Sequence, residues 1–228
     1  MYEVDILIPT ARFVFSVEDG EVEVLGEHRS PEAFAVYREL VERRPVVGMT
    51  TFPNTVLLRG PQTIVVDPGL QLQNAPVVRA LEHRGLRATD VDRVVLTHAH
   101  SDHAGGCADL MLPVTVHEVE TAAPYWGQAA AFIDDLPLTL LIGDEGEIAP
   151  GVRWARTPGH CAGHVSLAVD TPAGTVVVCG DTIGPGRSAF DVMEPTGPAA
   201  ADLVASWRRI RAWDPVTIIA GHLPPFAP

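Results

Sequence analysis

The sequence predicts an α/β fold, two sheets with helices packed on their outer faces, in one domain over residues 1–228. Three observations predict it. Short apolar runs with strand character alternate with helical patterns along the chain. With 228 residues, 46% of them hydrophobic and 20% charged, the chain can bury a core of layered size. No repeat, low-complexity tract or linker divides it.

In chain order, residues 3–8 and 12–17 read as strands, and Asp19-Gly20 as a hairpin turn into 21–25. Ser30 caps a helix with Pro31 at its first position, which ends before Pro45. Strands at 55–59 and 62–66 flank the turn Arg59-Gly60-Pro61-Gln62, and Asp67-Pro68-Gly69 closes the second. A helix over about 74–84 stops at Gly85, and a strand at 93–97 follows. Next come a helix near 104–110 and a strand at 113–117. Residues 118–137 show no clear period, and Pro124-Tyr125-Trp126-Gly127 within them reads as an exposed aromatic loop. Strands at 138–142, 147–149 and 152–156 precede His160, and strands at 165–170 and 175–179 pair across Thr171-Pro172-Ala173-Gly174. A helix over 199–212, with Leu203, Trp207 and Ile210 at helical spacing, leads into a last strand at 216–220.

The chemistry concentrates in Thr97-His98-Ala99-His100-Ser101-Asp102-His103. On an extended strand end, His98 and His100 face the same side and can hold one metal ion. A helical turn after Ser101 sets Asp102 and His103 beside them, close enough for a second metal sharing a bridging oxygen. Further donors follow at strand ends: Asp181 after the run 175–180, His222 after the run 216–221, and His160 in Thr157-Pro158-Gly159-His160. Taken alone, each of these three also reads as an ordinary turn residue. Taken together they complete a ligand set.

HxHxDH, then TPGH, then a strand ending in Gly180-Asp181, then one ending in Gly221-His222, resembles the metallo-beta-lactamase-fold hydrolases in every block and in order. That resemblance implies a four-layer αββα sandwich with the metals at one sheet edge. It implies His98, His100 and His160 on one ion, Asp102, His103 and His222 on another, and Asp181 bridging both. Two divalent ions are expected, zinc first, with iron or manganese equally suited to imidazole and carboxylate donors. Water between such ions loses a proton near neutral pH and attacks a carbonyl carbon, with Asp102 guiding the proton. Hydrolysis of a small ester, lactone or thioester is the expected activity.

Around the ligands, His164 reads as an orienter of a ligand, not as one itself. Asp67 has two readings, a hydrogen-bond support for the metal loop or a turn closing its strand. Arg187, in Gly184-Pro185-Gly186-Arg187-Ser188, either holds a substrate carboxylate or sits on the surface. Tyr125 and Trp126 either form an apolar lid or pack on a neighbouring helix or subunit, the latter making a homodimer. His28, His83 and His117 have no partner spacing and read as surface or structural residues, and Cys179 as a buried, inert thiol.

Composition limits the partners. A formal net charge of -13 opposes a nucleic-acid groove or an anionic membrane surface. All 16 basic residues are arginine, so an anionic substrate group must be met by arginine, backbone N–H or metal. Three cysteines without CxxC spacing argue against a disulfide framework. No apolar run reaches membrane-span length, and the acidic Met1–Asp5 stretch lacks secretory character, so a cytoplasmic protein with a small-molecule substrate is expected.

Departures from the family's branches narrow the activity. The commonest β-lactamase subclass has a cysteine where this chain has Asp181, and uses a lysine. The signal lactonases place a tyrosine where Gly184 stands, and glyoxalase II carries a C-terminal helical domain beyond the position of His222. Sulfur dioxygenases, which bind one iron, show Gly-Cys in place of Gly163-His164. An RNA-processing nuclease remains an alternative through the ending Gly221–Phe226, which resembles small animal members of the fold, and an interaction module braced by its metals is a non-enzymatic one.

Overall fold

A computed structural model describes residues 1–18, 21–27, 47–183 and 199–228, with the backbone alone described for 12–18, 21–27 and 47–51. The helix expected after Ser30, the turn Asp19-Gly20, His28, Gly184 and Arg187 lie outside these residues.

Two apolar runs joined through Gly60-Pro61 form the first hairpin of the main sheet. In it β5 (Thr55–Arg59) and β6 (Thr63–Val66) pair antiparallel, Val56 opposite Val66 and Leu58 opposite Ile64. β1 (Glu3–Ile8) adds antiparallel beside β5, while β7 (Arg93–Val95), β8 (Val114–His117) and β9 (Leu138–Leu141) add parallel beyond β6. Parallel neighbours need crossovers. These carry α1 (Pro76–His83), α2 (Ser101–Ala104), α3 (Cys107–Leu110) and α4 (Trp126–Ile133).

Both faces of this sheet are covered, which is why its strands read as almost unbroken apolar runs. Alternate residues serve opposite faces: Leu57, Val65 and Val94 pack with Leu81 of α1, Cys107 of α3 and Ile133 of α4. Val56, Leu58, Ile64 and Val66 instead meet Trp154, Leu167, Val169 and Val178 of a second sheet. That sheet has the order β10 (Glu145–Ala149), β11 (Val152–Arg156), β12 (Val165–Thr171), β13 (Gly174–Gly180), β14 (Pro215–Ala220). Its last pair is parallel, and α5 (Ala200–Arg211) lies in the crossover. Trp207 and Ile210 of α5 cover Ala168, Val177 and Ile218 on its outer face. Helix, sheet, sheet, helix is the expected αββα architecture.

Three features differ from the sequence reading. A small third sheet, β3-β2-β4, includes β2 (Ala11–Glu18) and β3 (Glu21–Glu27) as expected, together with an unexpected β4 (Val47–Phe52), whose run is interrupted by Gly48 and polar threonines. The single helix expected at 104–110 is instead the two short helices α2 and α3. The backbone at Gly105-Gly106 passes so close to Pro68–Gln71 that no side chain would fit, and Gly106 N–H donates to Gly69 O at 2.8 Å. The aromatic stretch is not an exposed loop. Trp126 opens α4, and Tyr125 and Trp126 are partly buried against the helical side of the main sheet. No helix among the described residues is long and apolar enough to cross a membrane.

Candidate metal centre

Strand ends of both sheets converge on one edge of the sandwich. β7 ends at Val95, short of the expected 93–97, and the chain bends at Thr97-His98 before His100 (φ -70°, ψ 147°) leads into α2. His98 Nε2 lies 3.0 Å from His100 Nδ1, and His160, on the loop after β11, brings its Nε2 to 3.0 Å from the same atom. Asp102 and His103, on the first turn of α2, meet His222 from the end of β14. Asp102 Oδ2 is 3.3 Å from His222 Nε2 and 3.8 Å from His103 Nε2. Asp181, at the end of β13, lies between the groups. One of its oxygens is 3.5 Å from His103 Nε2, and the other is 3.5 Å from His222 Nε2 and 3.6 Å from His160 Nε2.

Three overlapping triads could therefore each hold an ion: His98-His100-His160, His98-His103-Asp181 and Asp102-His103-His222, with donor atoms within 4.8 Å of one another. The donors fit a divalent metal. His103 Nε2 and Asp181 Oδ1 are buried without a hydrogen-bond partner, which is costly unless something else meets them.

The surrounding contacts aim these lone pairs inward. Asp67 is buried, with its backbone at φ 48°, and accepts Thr97 N–H at 2.8 Å on Oδ1. On Oδ2 it accepts the Thr97 hydroxyl at 2.7 Å and His103 Nδ1–H at 2.8 Å. Because the single proton of Thr97 Oγ1 goes to Asp67, that oxygen is left to accept from His98 Nδ1, 3.1 Å away. Both rings thus carry a proton on Nδ1 and turn Nε2 toward the centre, the usual way an outer partner orients a ligand. His164 is buried and accepts Asp181 N–H on Nε2 at 3.1 Å, so its proton sits on Nδ1, toward Thr157 and Thr182. That ring holds the backbone of Asp181 and has no lone pair left for a metal.

Electrostatics divides the histidines. Burial lowers the pKa of His98 well below the ordinary value, and the neighbouring imidazoles lower it further. Burial also opposes the charged form of His103, but the Asp67 and Asp181 carboxylates outweigh it and hold this ring well above the ordinary value. Burial raises Asp181, yet the charge of His103, with His222 and His160, holds it below the usual carboxylate range. In the metal-free protein the centre thus keeps a proton where a cation would sit, and metal binding must release it.

His164 gives a pH prediction. Burial lowers its pKa from 6.5 to about 3, helped by the charges of nearby imidazoles. Below 6.5 the unfolded chain binds a proton that the folded chain refuses, so this group's contribution to stability declines as pH falls and is fully lost near pH 3. The slope reaches about 1.4 kcal/mol per pH unit. Urea unfolding of the metal-free protein at pH 7, 5 and 4 is expected to show it. His164→Gln keeps an acceptor for Asp181 N–H and is expected to flatten that limb; an equally steep one would remove the assignment.

Of the remaining candidates, Tyr125 lies edge-on to His100 with ring centroids 4.4 Å apart, but its hydroxyl is given to Glu120. Trp126 packs among the helices. His83 is exposed, and His117 is buried with both ring nitrogens used, toward Val119 N–H and Gly143 O. Sequence reasoning missed Thr97, Glu120 and Asn54. Asn54 donates to Ala220 O and Leu223 O, both at 2.7 Å, while its N–H meets Gly221 O, so it clasps the turn that carries His222. The signal available for Asn54 was its place just before an apolar strand; Glu120 had none.

The chain is similar to several known proteins. Hydroxyacylglutathione hydrolase of Cupriavidus metallidurans is 38% identical over 128 residues, 54% of this chain and 46% of that protein, so under half of its length is matched. Metallo-beta-lactamase domain-containing protein 1 of Xenopus laevis is 30% identical over 182 residues, covering 76% of this chain and 71% of the relative. An N-acyl homoserine lactonase of a Bacillus species is 32% identical over 99 residues, 42% and 39% of the two chains. A solved Thermotoga maritima structure, a candidate metallo-beta-lactamase, superposes with a TM-score of 0.70 over 100% of this chain and 99% of its own, and its 22% identity speaks for the fold alone. The family model described as the metallo-beta-lactamase superfamily matches residues 49–222, a span that contains all seven convergent side chains, and the chain belongs to that superfamily.

Proposed function

We propose that this protein is a metal-dependent hydrolase that uses two divalent ions, zinc foremost, to cleave a small ester, lactone or thioester. The convergence of seven imidazole and carboxylate side chains in overlapping triads, with two buried donor atoms left unpartnered, carries the reading. Relatives named for hydrolysis of hydroxyacylglutathione, a thioester, and of N-acyl homoserine lactones support the bond class. When bound, such an ion pair polarises a carbonyl and supplies a water nucleophile at neutral pH.

The chain's own residues do the rest. His98, His100 and His160 would hold one ion and Asp102, His103 and His222 the other, with Asp181 placed to serve both. Asp67 and Thr97 keep Nε2 of His103 and of His98 aimed at the centre. Asp102 is the most exposed carboxylate of the set, its side chain 28% accessible against 10% for Asp181, and it takes up and returns the proton during turnover.

The test is metal content in protein purified without chelator or added metal, followed by hydrolysis of aryl esters, acyl lactones and glutathione thioesters with and without chelator. About two equivalents and chelator-sensitive hydrolysis of one class are expected. One equivalent of iron, retained in Asp102→Ala and His103→Ala, would instead point to sulfur-oxidising chemistry. Full loading without hydrolysis would leave the metals as bracing only.

A further inference from the structure

Glu120, in the 3₁₀ turn Glu118–Ala122 after β8, is fully buried and belongs to none of the three triads. A buried carboxylate without a paired cation persists only where donors surround it. Here they come from three segments. Oε2 accepts Ala99 N–H at 2.8 Å, and Oε1 accepts Gly163 N–H at 3.0 Å. The Tyr125 hydroxyl lies 2.9 Å from Oε2 and 3.0 Å from Oε1, and Cys161 Sγ is 3.4 Å from Oε1. Ala99 is the residue between His98 and His100, Cys161 and Gly163 belong to the loop of His160, and Tyr125 rests on the His100 ring. At Gly163 the approach is so close that an added Cβ would lie 2.6 Å from Glu120 Oε1.

All these donors therefore belong to the segments that shape one triad, His98-His100-His160. Glu120 makes no contact with the Asp102-His103-His222 triad, which is braced by Asp67 at His103, a residue that also reaches His98 through Thr97, and by Asn54 around His222. We propose that Glu120 is a positioning residue that joins the 97–100 and 159–163 loops and sets the geometry of the three-histidine ion site, without governing the other. This rests on the two-ion reading above. The role requires a carboxylate. A glutamine has one acceptor oxygen, so its NH₂ group would face either Ala99 N–H or Gly163 N–H, donor against donor, and one loop would be released.

The test uses cobalt(II) alone as the probe. Metal-free wild type, Glu120→Gln and Glu120→Asp are loaded with cobalt, titrated with a competing chelator, and followed by visible absorption; urea unfolding reports on the metal-free folds. In Glu120→Gln one equivalent is expected to bind at least about tenfold more weakly, with altered cobalt bands, and the second as in wild type. Glu120→Asp keeps the charge but shortens its reach, and is expected to show a smaller loss at the same equivalent. It also serves if the glutamine variant does not fold. A lower unfolding midpoint with both cobalt affinities and the spectrum unchanged would make Glu120 merely structural and overturn the proposal, as would equal weakening of both equivalents. Wild type that fails to take up two equivalents would defeat the two-ion reading itself, a result separate from any behaviour of the variants.

Discussion

Asp181→Ala is expected to lose both ions and to lower kcat by at least about 10³-fold, roughly 4 kcal/mol of transition-state stabilisation. Its carboxylate reaches both outer groups, with His160 on one side and His103 and His222 on the other, all within 3.6 Å. Alanine leaves His103 with Asp67 at 2.8 Å and the more distant Asp102 at 3.8 Å, and removes the anion that lies among the imidazoles. The metal-free form should suffer as well. A carboxyl held below its ordinary range stabilises the fold above its unfolded pKa, and that contribution disappears with the side chain. Metal content and steady-state rates at matched total metal check the result. Two retained equivalents with a wild-type rate would exclude the shared role of Asp181.

The residues that converge at the candidate centre were legible in the sequence because their signals are local. His98, His100, Asp102 and His103 fall within six consecutive residues at a strand end, and Asp181 and His222 each end an apolar run. The layered fold was legible for a related reason, since strands covered on both faces write themselves as continuous apolar segments. What supports the ligands was not. Glu120 acts on backbone N–H groups 21 and 43 positions away, and in sequence it resembles Glu118, which caps an exposed Gly143 N–H instead. Thr97 looks like one more strand threonine until its hydroxyl is seen between Asp67 and His98. Pro124 and Gly127 supplied loop chemistry around Tyr125-Trp126, but the alanines of α4 and the apolar side of the main sheet prevailed over it. Long-range polar contacts have no period, and only the folded chain displays them.

Asp67 separates stability from metal tuning through two different substitutions. Asp67→Ala is expected to destabilise the metal-free protein by about 3–5 kcal/mol, since buried Thr97 N–H, Thr97 Oγ1–H and His103 Nδ1–H all lose their acceptor. It also leaves an ordinary side chain at φ 48°, which adds about 1 kcal/mol. Asp67→Asn should fold, because asparagine tolerates the left-handed region and keeps one oxygen for Thr97 N–H. Its NH₂ group then faces His103 Nδ1, and the ring satisfies it only by moving its own proton to Nε2, the atom aimed at the centre. The same NH₂ group faces Thr97 Oγ1, which sets the His98 ring, so the asparagine variant is expected to bind at least one equivalent about 10–100-fold more weakly while its fold stays largely intact. Urea unfolding of the metal-free proteins and chelator competition of the loaded ones measure the two effects separately. If the asparagine variant held both ions as tightly as wild type, His103 would not be the ligand whose tautomer Asp67 sets, and the ion assigned to Asp102, His103 and His222 would have to be held in some other way.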